Sequence, residues 1–227
     1  MKIIFIILLT FVVSCSKTAK YSEYFTIVSG YLESYVKTVL KGNFKLAESF
    51  FKKAEKELFL ADDYCNLARI YIKRYFIEEE FSENSKFYLN KANDFVNLSM
   101  CTEEKKIVNG LLKINLDSKT TIEFYNYYFA YLKSGDEIDL LGYLERYEVP
   151  DYVKSRVFRR LARDSFMKNL KKAEYYIKRA YMIDTFNSYS IYLLEDLKLM
   201  YIVCVKKGGV CDNLEKRKNS LQKMIKN

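Results

Sequence analysis

The chain of 227 residues contains no histidine and no tryptophan, and it has only one proline and seven glycines. The missing histidine excludes Ser-His and Cys-His nucleophilic pairs, histidine-ligated zinc and the usual general base near neutral pH. A Gly-rich phosphate loop, a CxxC pair and an EF-hand pattern are also missing. We therefore expect no enzyme, no cofactor, no metal and no small-molecule substrate. The scarcity of proline and glycine favours long helices over strands and turns.

Apolar and basic residues are what the chain has in quantity. Half of it is hydrophobic and 30% is charged, which is typical of a folded chain. The formal net charge is +9, and the tail from Glu215 to Lys226 is strongly basic. Such a charge suits an anionic membrane surface or an acidic partner, and a merely solubilising surface is the alternative.

The first fifteen residues have the pattern of a processing signal. Lys2 is followed by the apolar run Ile3–Val13, which at about 1.5 Å per residue is too short to cross a bilayer core of about 30 Å. The run ends in two valines, a serine and Cys15. This ending resembles the lipobox of bacterial lipoproteins. A core segment that happens to contain a cysteine is the alternative.

The lipoprotein resemblance implies a signal peptide at residues 1–14, cleavage before Cys15, acylation of Cys15 with chains such as palmitate, and a lipidated tether at 15–21. The mature protein would be held at a bacterial cell envelope by its lipid anchor without spanning the membrane. Ser16 rather than aspartate follows the cysteine, which in this family favours the outer membrane, here facing the periplasm. An exported lipoprotein rarely meets nucleic acid, so proteins and the membrane are the expected partners.

After residue 21 the apolar residues recur with a helical period. Phe44, Ala47, Phe51 and Ala54 fall on one helical stripe, which begins just after Gly42. The alanines allow a neighbouring helix to approach closely, and Phe51 fills the gap between them. This pattern resembles the second helix of a tetratricopeptide repeat.

Further segments match the same family at spacings near its 34-residue repeat. The matching residues are Tyr64, Leu67, Ala68, Tyr71, Ser85, Leu89 and Ala92, then Phe124, Tyr127, Tyr128, Tyr131, Gly135, Leu140 and Leu144, then Leu161, Ala162, Ser165, Leu170, Ala173, Ile177 and Ala180.

The resemblance implies an all-α fold over residues 22–227, a right-handed superhelical solenoid of antiparallel helix pairs with about ten or eleven helices. A longer interval between units predicts an inserted helix near 103–116, with Thr102 as its cap. A helix pair around Gly208-Gly209 is expected to cap the C-terminal end. The alternative is an irregular helical bundle with alanines at chance spacing.

Four cysteines remain after Cys15. Cys204 and Cys211 flank the double glycine between the last two helices, while Cys65 and Cys101 lie at the ends of helices expected to run antiparallel. Exported compartments permit disulfides, so a Cys204–Cys211 bond and a Cys65–Cys101 bond are both plausible. Free buried thiols are the alternative.

In the tetratricopeptide family, ligand-binding residues sit one helical step from the packing positions of the first helices. Carried over, this predicts a mixed apolar, aromatic and basic groove that suits an extended peptide with a carboxylate or acidic side chains. Its residues are Leu32, Val36, Arg69, Lys73, Tyr125, Phe129, Arg159 and Arg163. The alternative is that the tyrosines pack against the inserted helix and the arginines are solvated.

These features together predict a membrane-anchored, non-catalytic protein-protein interaction scaffold in an envelope assembly of outer-membrane, pilus or secretion type. A transporter-associated or structural envelope subunit is a second hypothesis. A hydrolase or lyase that uses carboxylates alone is a third, and two paired acids facing a deep cleft would favour it.

Overall fold

The prediction of an all-α fold with ten or eleven helices is confirmed. The structure is a computed structural model that describes residues 24–226, and within that range it contains eleven helices and no strand. The predicted signal peptide, Cys15 and the tether lie outside the described residues. The helices are α1 24–40, α2 Phe44–Leu60, α3 Tyr64–Glu78, α4 Ser85–Leu98, α5 Thr102–Leu111, α6 Glu123–Ser134, α7 Ile138–Arg146, α8 Asp151–Ser165, α9 Leu170–Asn187, α10 Ser190–Lys206 and α11 Asp212–Lys226.

Short polar residues and glycines set the helix ends. Asn43, Asp63 and Asn169 each accept a hydrogen bond from the backbone N–H three residues later, which satisfies a donor that the first helical turn leaves free. Gly42 and Gly135 end the preceding helices with φ of 84° and 74°, a left-handed conformation that glycine adopts without a Cβ clash.

The stripe of alternating small and large residues lies in the core, as its spacing predicts. Ala47, Phe51 and Ala54 are 2%, 1% and 0% exposed. Phe44 was predicted on the same stripe, but it stands at the start of α2, where it contacts the ring of Phe81 and is 44% exposed. The stripe therefore begins one turn later than expected.

Consecutive helices pack against each other in antiparallel hairpins. In the pair α3 and α4, Tyr64 at the start of α3 contacts Phe95 near the end of α4, and Arg74 near the end of α3 lies over the ring of Tyr88. The pairs α8 with α9, α9 with α10 and α10 with α11 are also in close contact. Antiparallel packing of neighbouring helices is expected where short connections join them.

The inserted helix is shorter than predicted. It occupies Thr102–Leu111 and ends before Lys113, whose φ of 59° breaks the helical conformation. Cys101 rather than Thr102 stands at the N-cap position, and it offers no side-chain hydrogen bond there. Two acidic residues in the first turn, Glu103 and Glu104, still face the positive end of the helix dipole.

Contacts across distant helices depart from a simple nearest-neighbour stack. Tyr192 at the start of α10 donates a hydrogen bond of 3.0 Å to the carbonyl oxygen of Ile77 at the end of α3. Ile225 near the end of α11 packs against Gly42, where an added Cβ would lie 3.0 Å from its side chain. The C-terminal helix pair thus contacts the turn between α1 and α2. The right-handed superhelical solenoid stays a prediction.

None of the helices between residues 24 and 226 has both the length and the apolar composition required to cross a membrane.

Both expected disulfides are present in the structure. Cys65 and Cys101 join the start of α3 to the residue before α5, with a Cα–Cα distance of 5.3 Å. Cys204 and Cys211 bridge the turn between α10 and α11, with a Cα–Cα distance of 6.0 Å. The first bond closes 36 residues and the second closes 7, so the first constrains the unfolded chain more.

Replacing both cysteines of one bond by serine should therefore lower the free energy of unfolding by different amounts. We expect a loss of about 4 kcal/mol for the Cys65–Cys101 pair and about 2 kcal/mol for the Cys204–Cys211 pair, from loop-closure entropy. Urea unfolding of the two double variants and the oxidised parent measures both losses. Equal losses, or a larger loss for the short loop, would contradict the ranking.

Candidate functional site

Arg159, predicted to line the binding groove, is instead at the centre of a buried ion cluster. Its side chain is fully buried and donates to Ser155 at 2.8 Å, to Asp196 at 3.2 Å, and to Glu80 and Asp184. Its guanidinium carbon lies 3.9 Å from the centre of the Tyr192 ring. The prediction for Arg159 is wrong, because no part of this side chain can reach a ligand.

Arg163 is the second groove arginine, and it belongs to the edge of the same cluster. It donates to Glu80 at 2.8 Å and lies 4.0 Å from Glu195, while about a third of its side chain is exposed. Lys198 also pairs with Glu195, at 2.6 Å. Arg163 therefore neutralises a carboxylate of its own chain.

Two buried carboxyl groups, Asp184 and Asp196, face each other beside Arg159. Burial raises the pKa of Asp196 well above its ordinary value, against the opposing effect of Arg159, and it raises the pKa of Asp184 in the same way. One oxygen of each carboxyl has no other hydrogen-bond partner within the described chain. The raised pKa of Asp196 favours its protonated form, and a proton donated from Asp196 to Asp184 would satisfy both oxygens.

A proton on Asp196 would also balance the charge of the cluster. With Asp196 neutral, the two cations Arg159 and Arg163 face the two anions Glu80 and Asp184. Both aspartates are fully buried, so they have no access to a substrate and do not form the open acid pair that a hydrolase or lyase requires. We interpret this cluster as a structural joint between α3, α8, α9 and α10.

The raised pKa of Asp196 predicts a pH dependence of stability. The folded chain keeps a proton that the unfolded chain releases above about pH 3.9. Stability should therefore fall as pH rises from there toward the native pKa, with a slope of up to about 1.4 kcal/mol per pH unit. In D196N the amide still donates to Asp184, so this slope should disappear and stability at neutral pH should be equal or higher.

Urea unfolding between pH 4 and pH 8 measures this difference. The matched control is D139N, because Asp139 is an exposed carboxylate on α7. An unchanged slope in D196N would mean that Asp196 is ionised in the folded protein.

Four of the predicted groove residues line a groove along α3, which we name the inner groove. They are Leu32, Arg69, Lys73 and Tyr125. The inner groove consists of two concavities that meet at Arg69 and Lys73 on α3. The first, of about 160 Å³, lies between α1 and α3 and includes Leu32. The second, of about 290 Å³, lies between α3, α5, α6 and α8 and includes Tyr125. The inner groove thus follows one face of α3.

The walls of the inner groove are largely apolar. Its second concavity is lined by Ile72, Phe76, Ile107, Ile122, Phe124, Tyr125, Tyr152 and Val153 besides the two cations. Burial raises the pKa of Tyr152 to about 12 and raises the pKa of Tyr125 further. The two hydroxyls therefore keep their protons at neutral pH, and a protonated phenol can donate a hydrogen bond.

Lys73 supplies the charge of the inner groove. Burial lowers the pKa of Lys73, with Glu33 opposing that effect. Over residues 24–226, no carboxylate lies within ion-pair distance of its ammonium group. A half-buried cation without an ion pair favours an anionic group in the space in front of it.

Arg69 lies where the two concavities meet, and part of its guanidinium group already donates hydrogen bonds within its own chain. Its Nε donates to Glu104 at 2.5 Å and its Nη1 donates to Asn66 at 3.1 Å, while more than half of the side chain is exposed. A carboxylate oxygen of Glu104 lies within 4.8 Å of the sulfurs of Cys65 and Cys101. Because those sulfurs form a disulfide, they are not the thiolates that a metal site requires.

Two further groove predictions are wrong in the same way as Arg159. Val36 is 9% exposed and packs in the core, and Phe129 is 1% exposed. The ring of Phe129 lies against Gly110 so closely that an added Cβ would be 2.3 Å away. Close approach of α5 and α6 therefore takes Phe129 out of the groove.

Of the residues on α5, α6 and α8 that line the inner groove, sequence reasoning predicted Tyr125 alone. Ile107, Ile122 and Tyr152 reach the inner groove because α8 follows directly beside α3 rather than one full repeat further on. The signal in the sequence was the long interval between the second and third repeat units, which also predicted the inserted helix.

A larger concavity of about 420 Å³ lies between α6, the turn that follows it, α8 and the start of α9. Several of its charges neutralise one another: Arg160 donates to Asp164 at 2.9 Å, and Lys172 pairs with Glu137. Tyr131 also donates to Asp164, at 2.5 Å. We therefore regard the inner groove, with its unpaired Lys73, as the stronger candidate.

No family model matches the chain, and no curated protein or solved structure matches it either.

Proposed function

We propose that this protein is a membrane-anchored lipoprotein that acts as a non-catalytic scaffold in a bacterial envelope assembly. Its inner groove would bind an extended segment of a partner protein. The observation that carries this proposal is the half-buried Lys73, which has no ion pair within the described residues and lies between two apolar concavities.

The shape and chemistry of the inner groove favour an extended, acidic segment. The two concavities follow one another along α3, so successive side chains of one segment would enter them in turn. A carboxylate between those side chains would meet Lys73 and the free side of Arg69. The hydroxyls of Tyr125 and Tyr152 would donate to backbone carbonyl oxygens of the segment.

The lipid anchor and envelope location rest on the ending of the first fifteen residues. Cys15 would carry the acyl chains, and the outer membrane facing the periplasm is the proposed location. The two disulfides support an exported location, since disulfides persist in oxidising compartments and are rare in the cytosol.

The anchor predicts a defined N-terminus for the protein made in a bacterial host. Intact mass spectrometry should find residues 1–14 removed and the new N-terminal Cys15 increased in mass by acyl chains. C15S is the matched control, and it should keep residues 1–14 and gain no acyl mass. An unmodified Cys15 in the parent would contradict the anchor and the envelope location.

The groove predicts that reversing the charge of Lys73 weakens partner binding. A photo-crosslinking residue at Tyr125 should trap a partner segment in native envelopes, and mass spectrometry of the adduct should identify an acidic sequence. A synthetic peptide of that sequence should bind K73E at least about 10-fold more weakly than the parent, since a charge-assisted contact contributes about 1.5–3 kcal/mol.

K86E is the matched control, because Lys86 is an exposed lysine at the start of α4. It changes the net charge equally and should leave the affinity unchanged. Equal weakening in K86E and K73E would indicate a general charge effect, and no adduct at Tyr125 would contradict the groove as the binding site.

A further inference from the structure

One end of the first four helices carries exposed apolar side chains that neither the core nor the inner groove uses. The ends of α2 and α4 meet there, because Phe59 contacts Phe95 with ring centres 5.6 Å apart. The Cys65–Cys101 bond ties the start of α3 to the same place. We name this surface the disulfide end and define it by Phe59, Leu60, Leu98 and Met100.

The exposure of these side chains is high. Leu60 is 72% exposed, Leu98 69% and Met100 98%, and Phe59 is 45% exposed. Scattered exposed apolar residues are common on soluble proteins, but four that converge on one end of a domain mark a contact surface.

The described chain begins at this same end. Helix α1 runs parallel to α3, since Phe25 lies in the concavity beside Asn66 at the start of α3, and Tyr35 donates to Glu78 at the end of α3, at 2.7 Å. Residue 24 therefore stands beside the disulfide end. The first turns of α1 add Ile27, which is 43% exposed, and Phe25, which is 38% exposed and also lines the first concavity of the inner groove.

We propose that the disulfide end inserts its apolar side chains into the surface of the membrane to which Cys15 is attached. This rests on the proposed lipid anchor. Cys15 precedes residue 24 by nine residues, and a fully extended chain of that length spans at most about 30 Å. The anchor thus keeps this end of the fold within reach of the bilayer interface.

The charges at the disulfide end favour apolar insertion over electrostatic attraction. The turn between α2 and α3 carries Asp62 and Asp63, and the positive charge of Lys106 is paired with Glu103 at 2.7 Å. The four residues that define this end are uncharged, and the exposed Lys105 is the neighbour of Lys106 on α5. The occupant is therefore a lipid surface that accepts apolar side chains without needing anionic headgroups.

This contact would set the orientation of the fold. Helix α3, with 15 residues, would stand with its start at the membrane and its end about 22 Å further away. The inner groove would then rise from the membrane surface along α3 and open to the periplasmic side.

The absence of tryptophan from the chain makes a direct test possible. L98W places a single tryptophan at the disulfide end of α4, and F87W places one at the opposite end of the same helix. Phe87 is 54% exposed, so both sites accept a large ring, and eleven residues separate them by about 16 Å. M100W is a second probe at the disulfide end, in case L98W fails to fold.

The full acylated protein is reconstituted into phosphatidylcholine vesicles whose acyl chains carry bromine, a short-range quencher of tryptophan fluorescence. We expect quenching of L98W and M100W by at least about twofold relative to unbrominated vesicles, and none for F87W, because only the disulfide end lies at acyl-chain depth. The quenching should persist in 1 M salt, at which electrostatic attraction is screened.

Flotation with the vesicles separates the two proposals. Protein that floats but shows no quenching at Leu98 or Met100 would overturn the membrane contact and leave the anchor intact. Protein that does not float would overturn the anchor itself. Equal quenching at Phe87, or loss of quenching in 1 M salt, would also overturn insertion by the disulfide end.

Discussion

Three consecutive carboxylates at the end of α3, Glu78, Glu79 and Glu80, set the main constraint on this fold. Like charges repel, and the negative end of the helix dipole adds to their cost at this position. Each carboxylate is paired: Glu78 with Arg74 at 2.9 Å, and Glu79 and Glu80 with arginines of α8. The charges of Glu79 and Glu80 are thus neutralised only because α8 places its arginines beside the end of α3.

This requirement explains why the stack of helix pairs is not regular. Because Arg156 and Arg159 must reach Glu79 and Glu80, α8 lies directly beside α3. Helix α6 also contacts α3, through the rings of Phe76 and Phe124. The second concavity of the inner groove is the space between α3, α5, α6 and α8.

Much of the helical framework followed from the sequence, because apolar spacing and end-capping residues act locally. Ala47, Phe51 and Ala54 are buried as their spacing indicates, and the cysteines at helix ends are joined as expected. The end of α5 was harder to predict, because Lys113 adopts a left-handed conformation at a position where the sequence has no glycine.

The role of Arg159 did not follow from a local pattern. Its acidic partners lie 25, 37 and 79 residues away in the sequence. Helical periodicity alone therefore predicts that Arg159 is exposed to solvent. Two features far apart in the sequence did carry this information. Asp196 interrupts an apolar stretch of α10, and three glutamates follow one another at the end of α3. Buried acids require buried cations, and the arginines of α8 were the available ones.

Charge pairing at the end of α3 also bears on the proposed binding site, because it supports the wall of the inner groove. The guanidinium carbon of Arg156 lies 3.4 Å from the centre of the Phe76 ring, and Phe76 lines the second concavity. Arg156 is held at its other side by Glu79. Charge pairing at the end of α3 therefore fixes an apolar wall of the groove. A buried pair of this kind contributes little net stability, yet it specifies which helices meet. In this chain, the helices that meet through these pairs enclose the concavity beside Lys73.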